Sequence, residues 1–264
     1  MNQADTNPQA MPDRLGRDGA ITWIDKLTMQ CDGVQLQLTQ GLNLKESSDE
    51  VVSLFKDPSF VRDYVQCLEG AAARSVVEIG IKHGGSAIFF WNLLSPEKLC
   101  CIELNASAEQ LAAYVERQGL AGRLNAHFGT NQADKPRLRE ILDADFGESA
   151  IDVVIDDASH LYTPSLATFE VLFPRLRPGG LYFLEDWKVH ASLAQHGREP
   201  GGEEPPLHRL VHDLLNVSLA HPDIVARVRC HNNFVIFERG EAAIDSGGLD
   251  VRAILDADSQ AIEY

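Results

Sequence analysis

Two apolar segments that each end in adjacent carboxylates constrain the fold of this chain more than any other feature. The first runs from Ile151 to Asp157 and the second from Leu181 to Asp186, and a segment with helical spacing lies between them. A strand, a helix and a second strand in this order form a right-handed crossover with parallel strands. Both acidic pairs therefore emerge at one edge of a sheet, where open α/β folds bind ligands.

The same alternation of short strands and helices covers most of the chain. It begins at Ser75, and further strands are predicted near residues 99–104 and 124–128. Two more strands at 224–229 and 234–238 are joined by a short polar turn, which predicts a β-hairpin. We therefore expect an α/β fold with a Rossmann-like, doubly wound, mostly parallel sheet and a C-terminal antiparallel β-hairpin.

Segments with a weaker pattern flank this predicted catalytic domain. The spacing of Ser47-Ser48-Asp49-Glu50 is that of a capping box, and Asp57-Pro58 is typical of a helix start, so we expect an N-terminal helical cap. The predicted organisation is a mobile tail at 1–20, the cap at 21–74, the catalytic domain at 75–240 and an extension at 241–264 that packs or frays.

A candidate substrate lid follows the second acidic strand end. Residues 188–206 are rich in His, Gly, Glu and Pro, which do not form a core by themselves. A long segment of this kind beside a ligand-binding edge is typical of functional loops. The sequence therefore predicts a lid over the site.

Charge and cysteine content restrict the partners and the compartment. Lys and Arg number 23 against 39 Asp and Glu, which gives a formal net charge of −16. Such a surface opposes nucleic acid and anionic membranes, so neither is an expected partner. The five cysteines include no CxxC spacing, and a reduced cytoplasm fits them best. Cys100 and Cys101 lie in an apolar strand and are expected to be core residues.

A glycine-rich turn joins the first predicted strand of the domain to its helix. The turn runs from Glu78 to Ser86, and its glycines allow a ligand to approach the backbone at a helix N-terminus. Glu103 lies 23 residues after Gly80, as expected for an acid that accepts hydrogen bonds from ribose hydroxyls. A tight turn and a solvated acid would explain the same residues without a cofactor.

These motifs resemble those of the class I S-adenosylmethionine-dependent methyltransferases. The resemblance covers residues 75–238 and is carried by Glu78-Ile79-Gly80, Glu103 and Asp156-Asp157. Lys82 and His83 stand where another glycine is usual in that superfamily. More narrowly, the pair of motifs Asp156-Asp157-Ala158-Ser159-His160 and Glu185-Asp186-Trp187 resembles metal-dependent O-methyltransferases of natural-product sugars, the mycinamicin-type macrolide enzymes and the cephalosporin-hydroxylase-like group.

The resemblance implies that S-adenosylmethionine binds along the strand ends. Adjacent strand residues point to opposite sides, so one residue of the Asp156-Asp157 pair is expected to face the cofactor and the other a metal ion. The polar segment 129–132 either positions the adenine ring or forms a local turn. The predicted cofactor-binding residues are Glu78, Gly80, Gly84, Ser86, Glu103, Gly129, Thr130, Asn131 and Asp156.

The resemblance also implies a metal ion and a catalytic histidine. Asp157 and Asp186 look like metal ligands, Glu185 is a candidate third ligand, and carboxylate oxygens suit Mg²⁺, with Mn²⁺ as the alternative. Neutral His160 would remove the proton of a substrate hydroxyl as general base. The other interpretations are caps or loop-ordering hydrogen bonds for the aspartates, and a structural hydrogen bond to a buried carboxylate for His160.

The sequence thus predicts a cytoplasmic, Mg²⁺-dependent O-methyltransferase that acts on a hydroxyl of a small molecule, a sugar or polyketide natural product. Catechol-type methylation, an NAD-linked oxidoreductase and a noncatalytic cofactor-binding protein are the alternatives. His208 and His212 have a spacing that can bind zinc, but without an HExxH motif an ordinary polar helix face is favoured, and a substrate contact is the other alternative. Homo-oligomerisation is left open.

Overall fold

The computed structural model describes residues 14–16, 19–39, 48, 50–68, 71, 73–189, 204–245 and 248–261. Most of the expected tail, and residues 190–203 of the expected lid, lie outside the described residues. Among the described residues, no helix has both the length and the apolar character needed to cross a bilayer.

A seven-stranded sheet forms the centre of the described structure. Its strands lie in the spatial order β11, β12, β10, β9, β6, β7, β8. Strands β8, β7, β6, β9 and β10 pair in parallel, whereas β12 is antiparallel to both β10 and β11. The bounds are β6 Ser75–Ile79, β7 Lys98–Ile102, β8 Leu124–His127, β9 Ile151–Asp156, β10 Leu176–Glu185, β11 Val225–Cys230 and β12 Phe234–Arg239.

The helices follow the expected alternation with the strands. Two of their ends have clear local causes: Asp134 caps α4 by accepting from the backbone N–H of Arg137, and Gly119 ends α3 in the left-handed conformation. The bounds are α1 Pro58–Leu68, α2 Gly85–Leu94, α3 Glu109–Gln118, α4 Lys135–Phe146, α5 Tyr162–Leu172, α6 Leu207–Ala220 and α7 Val251–Ala261.

The central sheet is covered on both faces, and this explains why its strands are apolar throughout. Alternate residues of each strand enter different cores: Val76 packs with residues of α1, α2 and α3, while Val77 packs with residues of α4, α5 and α6. The apolar residues from α5 to the first residue of β10 belong to this core and are all buried: Leu166, Phe169, Leu172, Phe173 and Leu176. Cys100 and Cys101 are likewise buried, as expected.

The order in which successive strands are added to the sheet reverses between β6 and β9. From β6 the next strands along the chain are laid down towards β8, whereas β9 lies on the opposite side of β6 and continues towards β10. A crevice opens at the carboxyl ends of the strands where such a reversal occurs. The expected mostly parallel, doubly wound sheet and its C-terminal hairpin are therefore confirmed.

The N-terminal segment differs from the expected helical cap. It forms a five-stranded sheet followed by the single helix α1, whose start at Pro58 is as predicted. Residues 47 and 49 of the presumed capping box lie outside the described residues, and the chain enters β5 directly afterwards. The strands are β1 Arg14–Leu15, β2 Ile21–Asp25, β3 Thr28–Cys31, β4 Val34–Leu38 and β5 Val51–Leu54.

The two sheets are joined by close backbone packing at one point. A Cβ atom on Gly85, the first residue of α2, would lie 2.2 Å from the carbonyl oxygen of Ser53 in β5. Only glycine permits this approach, which holds the end of β5 beside the glycine-rich turn. The residues that follow β5 are thereby brought to the crevice.

Candidate functional site

A cavity of about 580 Å³ lies at the crevice between β6 and β9. Its volume falls within the roughly 300–1,000 Å³ of small-molecule and cofactor sites. The glycine-rich turn, the ends of β7 and β9 and the segment after β5 all contribute to its wall. Of the predicted cofactor-binding residues, the lining contains Gly80, Ser86, Glu103, Thr130 and Asn131.

Gly80 allows the turn after β6 to lie against the loop after β9. It adopts a φ of 85°, and an added Cβ would lie 2.3 Å from the carbonyl oxygen of Asp157. Both the left-handed backbone and the missing side chain are therefore required. The sheet continues one step past its formal end here, because the Asp157 N–H donates to the Ile79 carbonyl at 2.9 Å.

Glu103 organises the glycine-rich turn as well as lining the cavity. One carboxylate oxygen accepts hydrogen bonds from the backbone N–H groups of Ile81, at 2.9 Å, and Lys82, at 2.6 Å. The other accepts from the N–H of Asn105 at 2.8 Å. A carboxylate has about four acceptor positions, so these three bonds leave room for a ligand hydroxyl. Its predicted contact with ribose remains a prediction.

The residues that replace the usual glycine pack against the segment after β5. The Lys82 ammonium lies 3.5 Å from the centre of the Phe55 ring, and the His83 ring centre is 5.7 Å from it. Lys82 adopts a left-handed φ of 51° without being glycine. This part of the turn is therefore shaped by a cation–π contact with the N-terminal segment.

The polar loop after β8 supports the loop after β9. Gln132 is buried, and its side-chain carbonyl accepts a 2.8 Å hydrogen bond from the backbone N–H of Ser159. Its amide nitrogen donates to the Thr168 hydroxyl at 3.1 Å. Thr130 and Asn131 line the cavity, whereas Gly129 is not among the lining residues.

Asp157, His160 and Asp186 come together on the cavity wall. His160 Nε2 lies 3.9 Å from Asp157 Oδ1 and 3.8 Å from Asp186 Oδ2. One ligand atom from each residue lies within 4.8 Å of the others. Burial and the nearby Asp157 charge raise the pKa of Asp186. A bound cation would relieve this crowding of anions, so the donor set fits the predicted metal ion.

Backbone strain accompanies this arrangement. His160 has a φ of 55° and Asp186 a φ of 51°, in the left-handed region that non-glycine residues seldom adopt. Each such residue costs on the order of 1–3 kcal/mol and persists only where the surroundings impose it. Two strained residues that share one cluster support a functional role for it.

Asp156 does not face the cavity, contrary to the predicted cofactor contact. It is buried, accepts a 2.8 Å hydrogen bond from the Tyr182 hydroxyl, and lies 3.4 Å from the Gln132 amide nitrogen. Asp156 and Asp157 point to opposite sides of the sheet, as predicted. The side to which Asp156 points is the packed face of the sheet. Burial raises the pKa of Asp156 to about 7.

Glu185 is likewise turned away from the predicted metal group. Both of its oxygens lie 2.7 Å from Lys56 Nζ, and one accepts a 2.5 Å hydrogen bond from the Tyr64 hydroxyl. Lys56 also donates to Asp157 at 3.0 Å. Since the Glu185 side chain is 1% exposed and does not line the cavity, we remove Glu185 from the proposed ligand set.

Glu78 and Gly84 support the turn from outside the cavity lining. Glu78 is fully buried, and burial raises its pKa to about 8, so the carboxyl group is largely protonated at neutral pH. Gly84 is left-handed, and an added Cβ would lie 2.5 Å from Leu111. Both residues fit a role in the packing of the turn.

His208 and His212 lie on α6, with their ring centres 5.9 Å apart. Among the described residues, they belong to no group of three metal-ligating side chains. The two histidines therefore fit the interpretation of an ordinary polar helix face.

The family comparison matches residues 77–187 to a family described as a methyltransferase domain. The match includes the glycine-rich turn and both acidic strand ends. It confirms the resemblance predicted for this part of the chain.

Three curated relatives match shorter stretches. The chain is 48% identical over 56 residues, 21% of its length, to an 8-demethyl-8-alpha-L-rhamnosyl tetracenomycin-C 2'-O-methyltransferase of Streptomyces olivaceus. It is 38% identical over 74 residues, 28% of its length, to a demethylmacrocin O-methyltransferase of Streptomyces fradiae. It is 50% identical over 40 residues, 15% of its length, to a mycinamicin VI 2''-O-methyltransferase of Micromonospora griseorubida. These stretches span 14%, 18% and 10% of the respective relatives.

Solved structures share the fold. The mycinamycin-pathway methyltransferase MycE, determined in complex with Mg and SAH, superposes with a TM-score of 0.51 at 22% identity, over 75% of this chain and 53% of that one. The O-methyltransferase TomG of Streptomyces achromogenes, in complex with SAM, gives a TM-score of 0.52 at 20% identity, over 75% of this chain and 92% of that one.

Proposed function

We propose that this chain, whose residues 77–187 form a methyltransferase domain, transfers a methyl group from S-adenosylmethionine to a hydroxyl oxygen of a small molecule. The observation that carries the proposal is the cluster of Asp157, His160 and Asp186 on the wall of a cavity that also contains Gly80 and Glu103. One cavity thus combines features of a nucleoside-binding turn with a group able to accept a proton.

The cavity residues fit the cofactor in size and chemistry. S-adenosylmethionine supplies an activated methyl group on a sulfonium centre. Gly80 exposes backbone to a ligand, Glu103 offers free acceptor positions for hydroxyls, and Thr130 and Asn131 supply polar groups further along the wall. These contacts explain binding and orientation of the donor.

His160 is proposed to accept the proton of the acceptor hydroxyl. Its Nε2 atom faces Asp157 and Asp186, whose negative charges stabilise the imidazolium that forms.

Mg²⁺, with Mn²⁺ as an alternative, is proposed to be held by Asp157 and Asp186 beside His160. When bound, such a cation lowers the pKa of a coordinated hydroxyl and orients it. The chain contributes the two carboxylates and the close packing at Gly80 that places Asp157.

The acceptor is proposed to be a sugar hydroxyl of a natural product. The printed names of the similar stretches describe O-methyltransferases of a rhamnosyl tetracenomycin, a macrocin and a mycinamicin. A vicinal diol of a sugar and a catechol both present two neighbouring oxygens to a cation. The acceptor class therefore has to be decided by experiment.

The proposal is tested by incubating the protein with methyl-labelled S-adenosylmethionine and a panel of acceptors, with and without a chelator. The panel contains a rhamnosylated polyketide, a deoxysugar macrolide and a catechol. We expect label transfer to a glycosylated acceptor that is lost on chelation and restored by Mg²⁺. Transfer only to the catechol would reassign the acceptor, and transfer unaffected by chelation would remove the cation from the proposal.

A further inference from the structure

A lysine from the N-terminal segment lies inside the acidic cluster. Lys56 follows β5, and its side chain is 1% exposed. Its ammonium nitrogen lies 2.7 Å from both oxygens of Glu185 and 3.0 Å from Asp157 Oδ2. It therefore contacts one carboxylate from each of the two acidic strand ends.

This lysine carries its charge inside the protein. Its ammonium forms ion pairs with the carboxylates of Asp157 and Glu185, which compensate the charge of a buried group. The three short contacts match the three donors of an ammonium group. A permanent cation thus occupies the space between the two strand ends.

The lysine is held from several sides. The Tyr64 hydroxyl donates to the same Glu185 carboxylate, and the Tyr64 ring lies 5.7 Å from Lys56 Nζ. The Phe60 ring lies 4.9 Å from it on the same helix, α1. The backbone contact between Gly85 and Ser53 fixes the strand that delivers Lys56. The packing of the N-terminal segment against the domain therefore fixes the position of the ammonium.

Glu185 and Asp186 have different accessibilities as a consequence. The Glu185 side chain is 1% exposed and is bound by Lys56 and Tyr64, whereas the Asp186 side chain is 46% exposed and lines the cavity. Asp157 lies between them, with one oxygen on Lys56 and the other towards His160.

We propose that Lys56 is a positioning residue that holds Glu185 outside the cation site, so that a divalent cation is held by Asp157 and Asp186 beside His160. This inference rests on the cation assigned to the proposed function. Lys56 acts through the two carboxylates and has no direct part in methyl transfer.

The proposal predicts that Lys56 limits the affinity for a divalent cation. In Lys56→Met the ammonium is removed and Glu185 is released as a further anionic ligand. A positive charge beside a cation site repels the cation, so its removal favours binding. We therefore expect Lys56→Met to bind Mn²⁺ at least about tenfold more tightly than the wild type, a change in the direction set by charge.

The test is a titration of chelator-treated protein with Mn²⁺, in which free Mn²⁺ is measured by electron paramagnetic resonance. Lys56→Met/Glu185→Gln removes one positive and one negative charge and is expected to return close to the wild-type affinity. Lys135→Met removes another lysine of a Lys–Glu pair, with Glu170, outside the cavity, and is expected to leave Mn²⁺ affinity unchanged. Equal or weaker binding by folded Lys56→Met would overturn the proposal.

A second measurement on the wild-type protein covers the case in which Lys56→Met does not fold, since an unpaired buried carboxylate is strongly destabilising. Lysine acylation followed by mass spectrometry is expected to leave Lys56 unmodified with and without Mn²⁺, while exposed Lys26 is modified in both. Mn²⁺-dependent labelling of Lys56 would mean that the cation displaces it, against the proposal. S-adenosylmethionine binding, measured separately by calorimetry, shows whether the proposed function itself fails.

Discussion

The two acidic strand ends look alike in the sequence, and each divides into one buried and one cavity-facing carboxylate. At the end of β9, Asp156 is buried and Asp157 lines the cavity; after β10, Glu185 is buried and Asp186 lines the cavity. The buried members differ in their partners. Asp156 meets the neutral Tyr182 and Gln132 side chains, whereas Glu185 meets the Lys56 ammonium.

This difference in partners bears on the pKa of each buried carboxylate. Neutral hydrogen-bond donors do not offset the loss of hydration, and the pKa of Asp156 rises to about 7 through burial. Burial also raises the pKa of Glu185, and the Lys56 ammonium opposes this rise through its charge and its hydrogen bonds. Each strand end therefore presents one carboxylate to the cavity, and the second pairs its buried carboxylate with a lysine of the N-terminal segment.

The largest expected effect on activity comes from substitution of His160, which faces both Asp157 and Asp186. His160→Ala should lower kcat by about 10²–10⁴-fold with little change in S-adenosylmethionine affinity, because a general base is lost. The change is measured by steady-state kinetics and calorimetry. His212→Ala on α6, which is exposed and lies outside the cavity lining, is the matched control. A full-rate His160→Ala with an unchanged pH profile would remove His160 from catalysis.

The next largest expected effect on activity comes from substitution of Asp157, compared with the same substitution at its neighbour Asp156. Asp157→Asn should lower kcat/KM by about 10²-fold or more, because it removes a charge that faces His160 and the cation. Asp156→Asn, the adjacent isosteric change, should leave kcat/KM near the wild-type value since Asp156 faces Tyr182. Equal losses in both variants, with unfolding excluded by circular dichroism, would break the distinction between buried and cavity-facing carboxylates.

The raised pKa of Asp156 predicts a pH effect on stability. The folded protein keeps a proton up to about pH 7 that the unfolded chain releases near the ordinary value of 3.8, so this group makes folding less favourable as pH rises between these values. Each pH unit of that interval corresponds to about 1.4 kcal/mol. Urea unfolding from pH 4 to pH 8 should show a flatter dependence for Asp156→Asn than for the wild type. Parallel curves would contradict the assignment.

The smallest expected effects are on stability and come from Tyr182 and Tyr64, whose hydroxyls donate to the buried carboxylates. Tyr182→Phe removes the 2.8 Å hydrogen bond to Asp156, whereas Tyr64→Phe leaves Glu185 still bound to Lys56. Leaving a buried acceptor unsatisfied costs about 1–3 kcal/mol. We therefore expect Tyr182→Phe to lower the free energy of unfolding at pH 8 more than Tyr64→Phe does. The reverse order would show that the Lys56 pair does not protect Glu185.

Much of the fold was predictable because its signals are local. The strands after Ser75 are short apolar runs, and the helices between them begin and end at residues with known capping or turn behaviour. Parallel pairing then places the strand ends at one edge without further information. The grouping of Asp157, His160 and Asp186 follows from this placement, although their roles remain proposals.

The N-terminal sheet was missed although one signal for it was present. Asp32-Gly33 separates β3 from β4, and both residues adopt positive φ angles, as in a two-residue hairpin turn. The alternating exposure of β4 fits a strand with one buried face. Two capping-type patterns suggested helices instead, and only that at Pro58 corresponds to one.

The partner of Glu185 was not predictable from any local pattern. Lys56 is separated from Asp157 by 101 residues and from Glu185 by 129, and nothing in its own neighbourhood marks it as buried. The same limit applies to Asp156, because strand alternation tells which residues share a side but not what covers that side. Contacts between distant segments decide which carboxylate is free.

The most direct test of the central claim is calorimetric titration of chelator-treated protein with S-adenosylmethionine, repeated with Mg²⁺ and with NAD as the control ligand. The account predicts saturable binding of S-adenosylmethionine, no binding of NAD, and loss of S-adenosylmethionine affinity in Gly80→Ala, whose added Cβ would displace the Asp157 backbone. Binding of NAD without S-adenosylmethionine would contradict the account and favour an oxidoreductase.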